Sequence, residues 1–199
     1  MDFLQTSVLA QVCLGIGLAQ LAGLRAFLPV ALIGVFSAFE LFGAPALAGT
    51  WFSFFAYSWV WIGLFGCAFI ELVLDKLPLM SQVQDLLFGP LRLAAGAVVF
   101  GAALAAQLPA VIIVGMIAGA LLASAAHFAK GALRITRSAD GLTNAFMSLF
   151  FDLVVAAGAV ATLLFPLLGI LFLLFLLYFL YRVKKTRRKK YKGLRLLRE

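Results

Sequence analysis

Apolar residues fall in seven blocks along this chain, near residues 5–22, 26–42, 52–77, 90–106, 110–134, 143–164 and 166–182. Short turn signals separate them: Gly23-Leu24-Arg25, Gly43-Ala44-Pro45, Pro78, Gly89-Pro90, Pro109, Gly141 and Pro166. A helix rises 1.5 Å per residue, so about 20 apolar residues cross a bilayer core. The third, fifth and sixth blocks reach that length, and the fourth and seventh sit at its lower limit. The first two are short, and with Pro29 close to their junction they read as a tight hairpin, a broken helix or a re-entrant pair. The pattern predicts an all-α fold: a polytopic transmembrane helical bundle of about six to seven membrane segments with a broken or re-entrant N-terminal pair. It forms one domain over residues 1–182, followed by a basic tail over 183–199.

Composition strengthens this reading. Hydrophobic residues make up 65% of the 199, charged residues 12%, and the mean hydropathy is +1.12. A soluble fold of that size has too little interior to hide so much apolar surface. An ordinary soluble enzyme, a disordered chain and a disulfide scaffold are therefore excluded. The net charge of +8 is unevenly placed: ten of the sixteen basic residues lie from Arg182 onward, against one acid, Glu199. Directly after an apolar helix, such a run reads as a cytoplasmic anchor and orientation signal facing anionic lipid headgroups, with no nucleic-acid partner. With the tail inside, threading backwards puts Arg134, Arg137, Lys76, Arg92 and Arg25 on the cytoplasmic side and leaves the outer turns free of Lys and Arg. That gives an external N-terminus and a multi-pass protein of the cell membrane, here the bacterial inner membrane. Trp51, Tyr57, Trp59 and Trp61 suit the outer interface, and Glu40 reads as a solvated outer residue.

Cys13 and Cys67 lie inside apolar blocks and read as small buried residues. No ligand spacing points to a metal or other cofactor. Asp2 and the lack of an early basic residue speak against a cleavable signal peptide. A weak internal repeat relates residues 23–34 to 89–101.

The chemistry lies on small-and-polar stripes at four-residue steps: Gln11/Gly15/Ala19/Gly23, Gly63/Cys67/Glu71/Asp75, Gly115/Gly119/Ala123/His127/Gly131 and Asn144/Ser148/Asp152/Ala156. Each stays on one slowly winding helix face, where small residues allow close approach. Glu71, His127 and Asp152 lie well inside their helices, and Arg25 sits in the break between the first two. A charge in hydrocarbon costs a few kcal/mol, so these groups face partners or water. The expected pairs are Arg25 or Arg92 with Glu71 or Asp152, and Lys130 with an acid. The functional reading is a hydrated pocket open to the cytoplasm; the bland one is a set of salt bridges that locks the bundle, with Lys76, Lys130 and Arg134 snorkelling near the interface. A Ser148/His127/Asp152 triad is the weakest of the arrangements considered.

Several of these motifs together resemble one bacterial family of small integral membrane proteins, domain of unknown function 4126. They are Gly23-Leu-Arg25-Ala-Phe-Leu-Pro29; Glu71-x-x-x-Asp75-Lys76-x-Pro78; Arg92 with Ala-Gly-Ala at 95–97; Ala126-His127-x-x-Lys130-x-x-x-Arg134; and Asn144, Ser148 and Asp152. The resemblance covers about residues 8–165. Leu93 stands where the family usually has proline, and Phe151 where it usually has glutamate. The final helix and tail look like an addition to the common core. The resemblance implies a compact helical membrane protein and no activity. From the residues, the leading expectation is a small transporter or lipid-handling protein. It would bind a substrate or relay protons through Arg25, Glu71, Asp75, Arg92, His127, Lys130, Asn144, Ser148 and Asp152. The partners expected are membrane lipids, a small anionic or phospholipid ligand, and a second copy of the chain. The alternatives are an assembly partner of other membrane helices and an intramembrane lipid-modifying enzyme.

Overall fold

The computed structural model describes residues 7–41, 44, 45, 47–75, 80–135 and 141–196, and its elements are helical throughout. Seven α-helices follow one another: α1 (Val8–Leu24), α2 (Phe27–Ala38), α3 (Ser58–Leu74), α4 (Met80–Ala103), α5 (Pro109–Ile135), α6 (Gly141–Leu164) and α7 (Leu168–Leu196), with a single 3₁₀ turn at Ser53–Ala56 before α3.

Helix α1 is apolar on every side, and such a helix belongs in a core. Its residues from Ala10 to Gly23 are mostly buried, and it packs against α4, α5, α6 and α7. Leu14, Leu18 and Leu21 join Ile33, Val99, Leu104, Val155 and Leu163 in one continuous apolar core. The small-residue stripes are what let the helices close on it. A Cβ on Gly96 would run into the carbonyl of Gly119 and one on Gly119 into the carbonyl of Gly96, so α4 and α5 touch backbone to backbone. Gly23 meets the carbonyl of Ala123, and Gly169 that of Cys13, in the same way. The stripes on α1 and α5 are thus consumed inside the molecule. The stripe on α3 is different: Gly63 and Cys67 face outward, and Glu71 is the one buried residue of that helix. Cys67 is therefore exposed, contrary to the sequence expectation, because α3 packs on α2 through one narrow edge.

Successive helices reverse direction. Gln107 bonds Gln11 at 2.9 Å, Gly34 lies against Phe55 and Trp61, and Gly17 lies against Gly169. The loops after α2, α4 and α6 and the start of α1 therefore share one end of the bundle. The α1–α2 break and the C-terminal end of α3 share the other.

Two boundaries differ from the sequence reading. Helix α4 begins at Met80 and runs through Gly89-Pro90 without a break. A proline removes one backbone donor, and a helix already held on both sides tolerates that loss. The apolar part of α4, residues 88–103, still starts where the pattern placed it. The suggested internal repeat consequently has no counterpart in backbone geometry, for Arg25 sits in a chain break and Arg92 in mid-helix. Finally, α7 does not end at the apolar limit near residue 182 but continues through the basic run to Leu196.

Among the described residues one helix, Pro109–Ala132 of α5, is long and apolar enough to cross a membrane by length and composition, and five further apolar helices are shorter. Only 28% of the α5 window is buried. The rest of the outer surface agrees: Trp59, Phe69, Phe128, Phe150, Leu153 and Phe175 are among many large apolar side chains left exposed.

Helix α2 ends in a Schellman motif, in which Leu41 N donates to Phe36 O at 2.9 Å and Glu40 N to Ser37 O at 3.3 Å. The turn requires a left-handed residue at position 40, and Glu40 adopts φ 49°. Glycine pays no Cβ penalty there. Glu40→Gly is expected to raise stability by about 0.5–1 kcal/mol, read as a higher Tm in detergent.

Candidate functional site

Where α1 ends, Arg25 takes an extended conformation (φ −140°, ψ 118°) and the chain restarts as α2 at Phe27. The first amides of a helix have no partner within it. Here the N-cap is Ala26, which has no side chain to cap them. Glu71 of α3 does so instead. Its Oε2 accepts from Ala26 N at 3.0 Å and from Phe27 N at 3.5 Å, and its Oε1 from Ala26 N at 3.3 Å. A carboxylate at a helix N-terminus also meets the positive end of the helix dipole. Pro29, in the first turn of α2, has no amide to strand, which explains how a proline stands so near the break.

Around this joint the buried charges form one network. Arg25 donates through Nε to Asp152 Oδ1 at 2.6 Å and through Nη2 to Asp75 Oδ2 at 2.7 Å. Ser148 Oγ lies between the two groups: it accepts from Arg25 Nη2 at 2.9 Å and donates to Asp75 Oδ2 at 2.8 Å. Lys130 Nζ donates to Leu24 O at 3.3 Å and stands 3.9 Å from Asp75. Arg92 reaches Glu71 Oε1 through Nη2 at 3.4 Å and His127 Nδ1 through Nη1 at 3.0 Å. A guanidinium only donates, so His127 Nδ1 accepts here and the imidazole is neutral with its proton on Nε2.

Eight of the nine candidate residues are thus drawn together from α1, α3, α4, α5 and α6. The ninth, Asn144, lies one turn before Ser148 on α6, and its side chain is outside the described set, as is that of Arg134. Lys76 and Arg137 fall outside the described residues. Arg92, Lys130, Glu71 and Asp75 are almost wholly buried, at 0%, 1%, 1% and 0% exposed, so Lys130 is a full member of the network and does not snorkel. The triad arrangement fails, because Ser148 spends its hydroxyl on Arg25 and Asp75 and not on His127. Among the described residues no group of three His, Cys, Asp or Glu is placed to hold a metal.

Among the described residues three cations, Arg25, Arg92 and Lys130, face three acids, Glu71, Asp75 and Asp152. The hydrogen bonding is incomplete at some buried atoms, two of them on Arg25 and Asp152. Arg25 Nη1 and Asp152 Oδ2 are buried and have no partner among the described residues. Both side chains, together with Glu71, line a cleft of about 220 Å³ whose remaining walls are Leu28, Phe65, Ala68, Phe69 and Leu72. A second, larger cavity of about 550 Å³ reaches the network from Lys130. It is bounded by Leu21, Ala126, Phe151, Phe172 and Leu176 among other apolar side chains. The adjacent residues Phe151 and Asp152 of α6 therefore belong to different cavities. The capping amides of Ala26 and Phe27, the Leu24 carbonyl and the apolar cleft wall leave no mark in the order of residues. The Gly23–Pro29 interruption was the one signal that backbone groups would be free there.

No curated protein and no solved structure matches this chain. A family model does, over residues 12–186, and its span takes in α7 through Thr186, so the final helix is part of the family's core and not an addition to it. The chain belongs to the family described as domain of unknown function DUF4126.

Proposed function

We propose that this protein lies in the bacterial inner membrane with its basic C-terminus in the cytoplasm, and that it binds and moves an amphiphilic molecule taken from the bilayer. The observation that carries this reading is the placement of the charged network. Seven polar or charged groups that would be costly in hydrocarbon are gathered around Arg25, and apolar cavities reach them at both Arg25 and Lys130. A water-filled ion path would be lined by polar atoms. A site for a lipid-like solute needs polar groups at one point and apolar walls beyond it, which is what binding sites of this kind combine. The apolar exterior and the distribution of Lys and Arg support the membrane placement.

The test is lipid mass spectrometry of the protein extracted gently from its native membrane, compared with the Ala68→Phe variant. Phenylalanine at 68 fills space in the cleft while leaving every residue of the network in place in the sequence. The expected result is one lipid class enriched over the bulk membrane and lost in the variant. The same composition as the bulk membrane in both proteins would refute the proposal.

A second reading is favoured by the pairing itself: each cation of the network has an acid beside it. On that reading the charges fix the α1–α2 joint, and the protein works as an assembly partner of other membrane helices. It predicts no enriched lipid and a stable complex with another membrane protein.

A further inference from the structure

The charged side chains that line the cleft and the unsatisfied atoms of Arg25 and Asp152 together restrict what it can hold. Arg25 is 3% exposed and Asp152 7% exposed, so neither Nη1 nor Oδ2 is served by bulk water. An unmade hydrogen bond at a buried group is costly, and more so for a charged one. Arg25 Nη1 needs an acceptor and Asp152 Oδ2 needs a donor. A fully ionised phosphate or carboxylate supplies acceptors only, and in the cleft it would meet two carboxylates, Glu71 and Asp152, against the one guanidinium of Arg25. A hydroxyl or a carboxamide supplies both donor and acceptor and adds no charge.

The walls fix the rest of the molecule. Beyond Arg25, Glu71 and Asp152, the lining is Leu28 of α2 and Phe65, Ala68, Phe69 and Leu72 of α3, which offer no polar side chain. Helices α3 and α6 flank α2 and hardly touch each other, so the cleft lies between them, and Phe69 at its rim is 68% exposed. The cleft of about 220 Å³ is smaller than the roughly 300–1,000 Å³ of pockets that enclose a drug-sized ligand. It holds a small head and the start of a chain, and the rest of the chain runs out beside Phe69.

We propose that the cleft between α3 and α6 is the head-group site for an uncharged amphiphile, a long-chain alcohol, acylglycerol or fatty amide, whose hydroxyl or carboxamide bonds to Arg25 Nη1 and Asp152 Oδ2 as the two side chains turn toward it. The proposal rests on the amphiphile reading above and replaces the anionic ligand that the arginines suggested in the sequence.

The experiment is equilibrium binding of radiolabelled 1-dodecanol to the purified full-length protein in a neutral detergent at pH 7.5, with dodecanamide, dodecanoate and dodecyl phosphate as competitors. The expected result is that dodecanol binds, that dodecanamide displaces it, and that the two ionised heads compete at least tenfold more weakly. Ala68→Phe is expected to lose the binding. Asp152→Asn removes one of the two carboxylates that line the cleft, and its preference is expected to turn toward dodecanoate. If that variant does not fold, the wild-type selectivity and Ala68→Phe still decide. Stronger competition by dodecanoate or dodecyl phosphate in the wild type overturns the uncharged-head proposal and leaves the amphiphile reading standing. No saturable binding by any of the four probes, or binding unchanged in Ala68→Phe, overturns both.

Discussion

Replacing Arg25 by methionine is expected to cost about 3–5 kcal/mol, the usual penalty for removing one partner of a buried ion pair. Methionine keeps most of the length and apolar volume of the arginine stem, so little of the loss would come from packing. What remains is two buried carboxylates, Asp75 and Asp152, and a hydroxyl, Ser148, that have lost their shared guanidinium. In a chain of 199 residues, such a loss lowers Tm by roughly 10 °C on the scale of about 2–4 °C per kcal/mol. Thermal unfolding in detergent measures it. The combination Arg25→Met with Asp152→Asn removes a cation and an anion together and is expected to recover part of the stability. The double-mutant cycle then reports the coupling between the two side chains directly. A Tm for Arg25→Met within 2 °C of the wild type would mean that the three groups are solvated, contrary to the burial on which the site rests.

The second large effect belongs to Glu71. Glu71→Ala removes the acceptor of the Ala26 and Phe27 amides at the start of α2 and the acid beside Arg92, and is also expected to cost about 3–5 kcal/mol. Glu71→Gln keeps an acceptor for the amides and gives up only the charge, so most of the loss should be spared. The contrast separates two roles that a single substitution confounds. If glutamine is as damaging as alanine, the charge opposite Arg92 dominates. If both are harmless, the α1–α2 joint is held by something other than Glu71. Amide hydrogen exchange at Ala26 and Phe27 locates the effect, since both amides should lose protection in the alanine variant.

These two residues also show how far a linear sequence discloses such a site. Arg25 and Glu71 were visible because ionised groups in apolar blocks are costly and demand an explanation. Their convergence with Asp152 was visible too, since the stripes on α3, α5 and α6 carry their polar ends toward the same end of the bundle. The helices themselves were legible from block length, and Pro29 marked the break after α1. What stayed hidden depends on three dimensions. Nothing in the order of residues says that Glu71 serves the backbone of Ala26, because a capping group on another helix leaves no local pattern. Cys67 was expected inside and lies outside, since an all-apolar helix does not announce which face its neighbours leave bare. Gly89-Pro90 read as a boundary and is helix, because packing overrode a local breaker. The cleft wall of Leu28, Phe65 and Ala68 is indistinguishable in sequence from ordinary core or lipid-facing residues. The unsatisfied atoms of Arg25 and Asp152 become evident only once each partner of the two groups is known.

The central claim is that the network around Arg25 is a binding site reached from the bilayer and not only a lock. A high-resolution structure of the protein in a lipid bilayer tests it most directly, at the cleft between Arg25, Phe65, Ala68 and Asp152. The account predicts an elongated density whose polar end lies within hydrogen-bond distance of Arg25 Nη1 and Asp152 Oδ2, with the other ion pairs unchanged. A cleft closed by its own side chains, with Arg25 and Asp152 fully satisfied inside the bundle, would contradict it and leave the charges as the fastening of the α1–α2 joint.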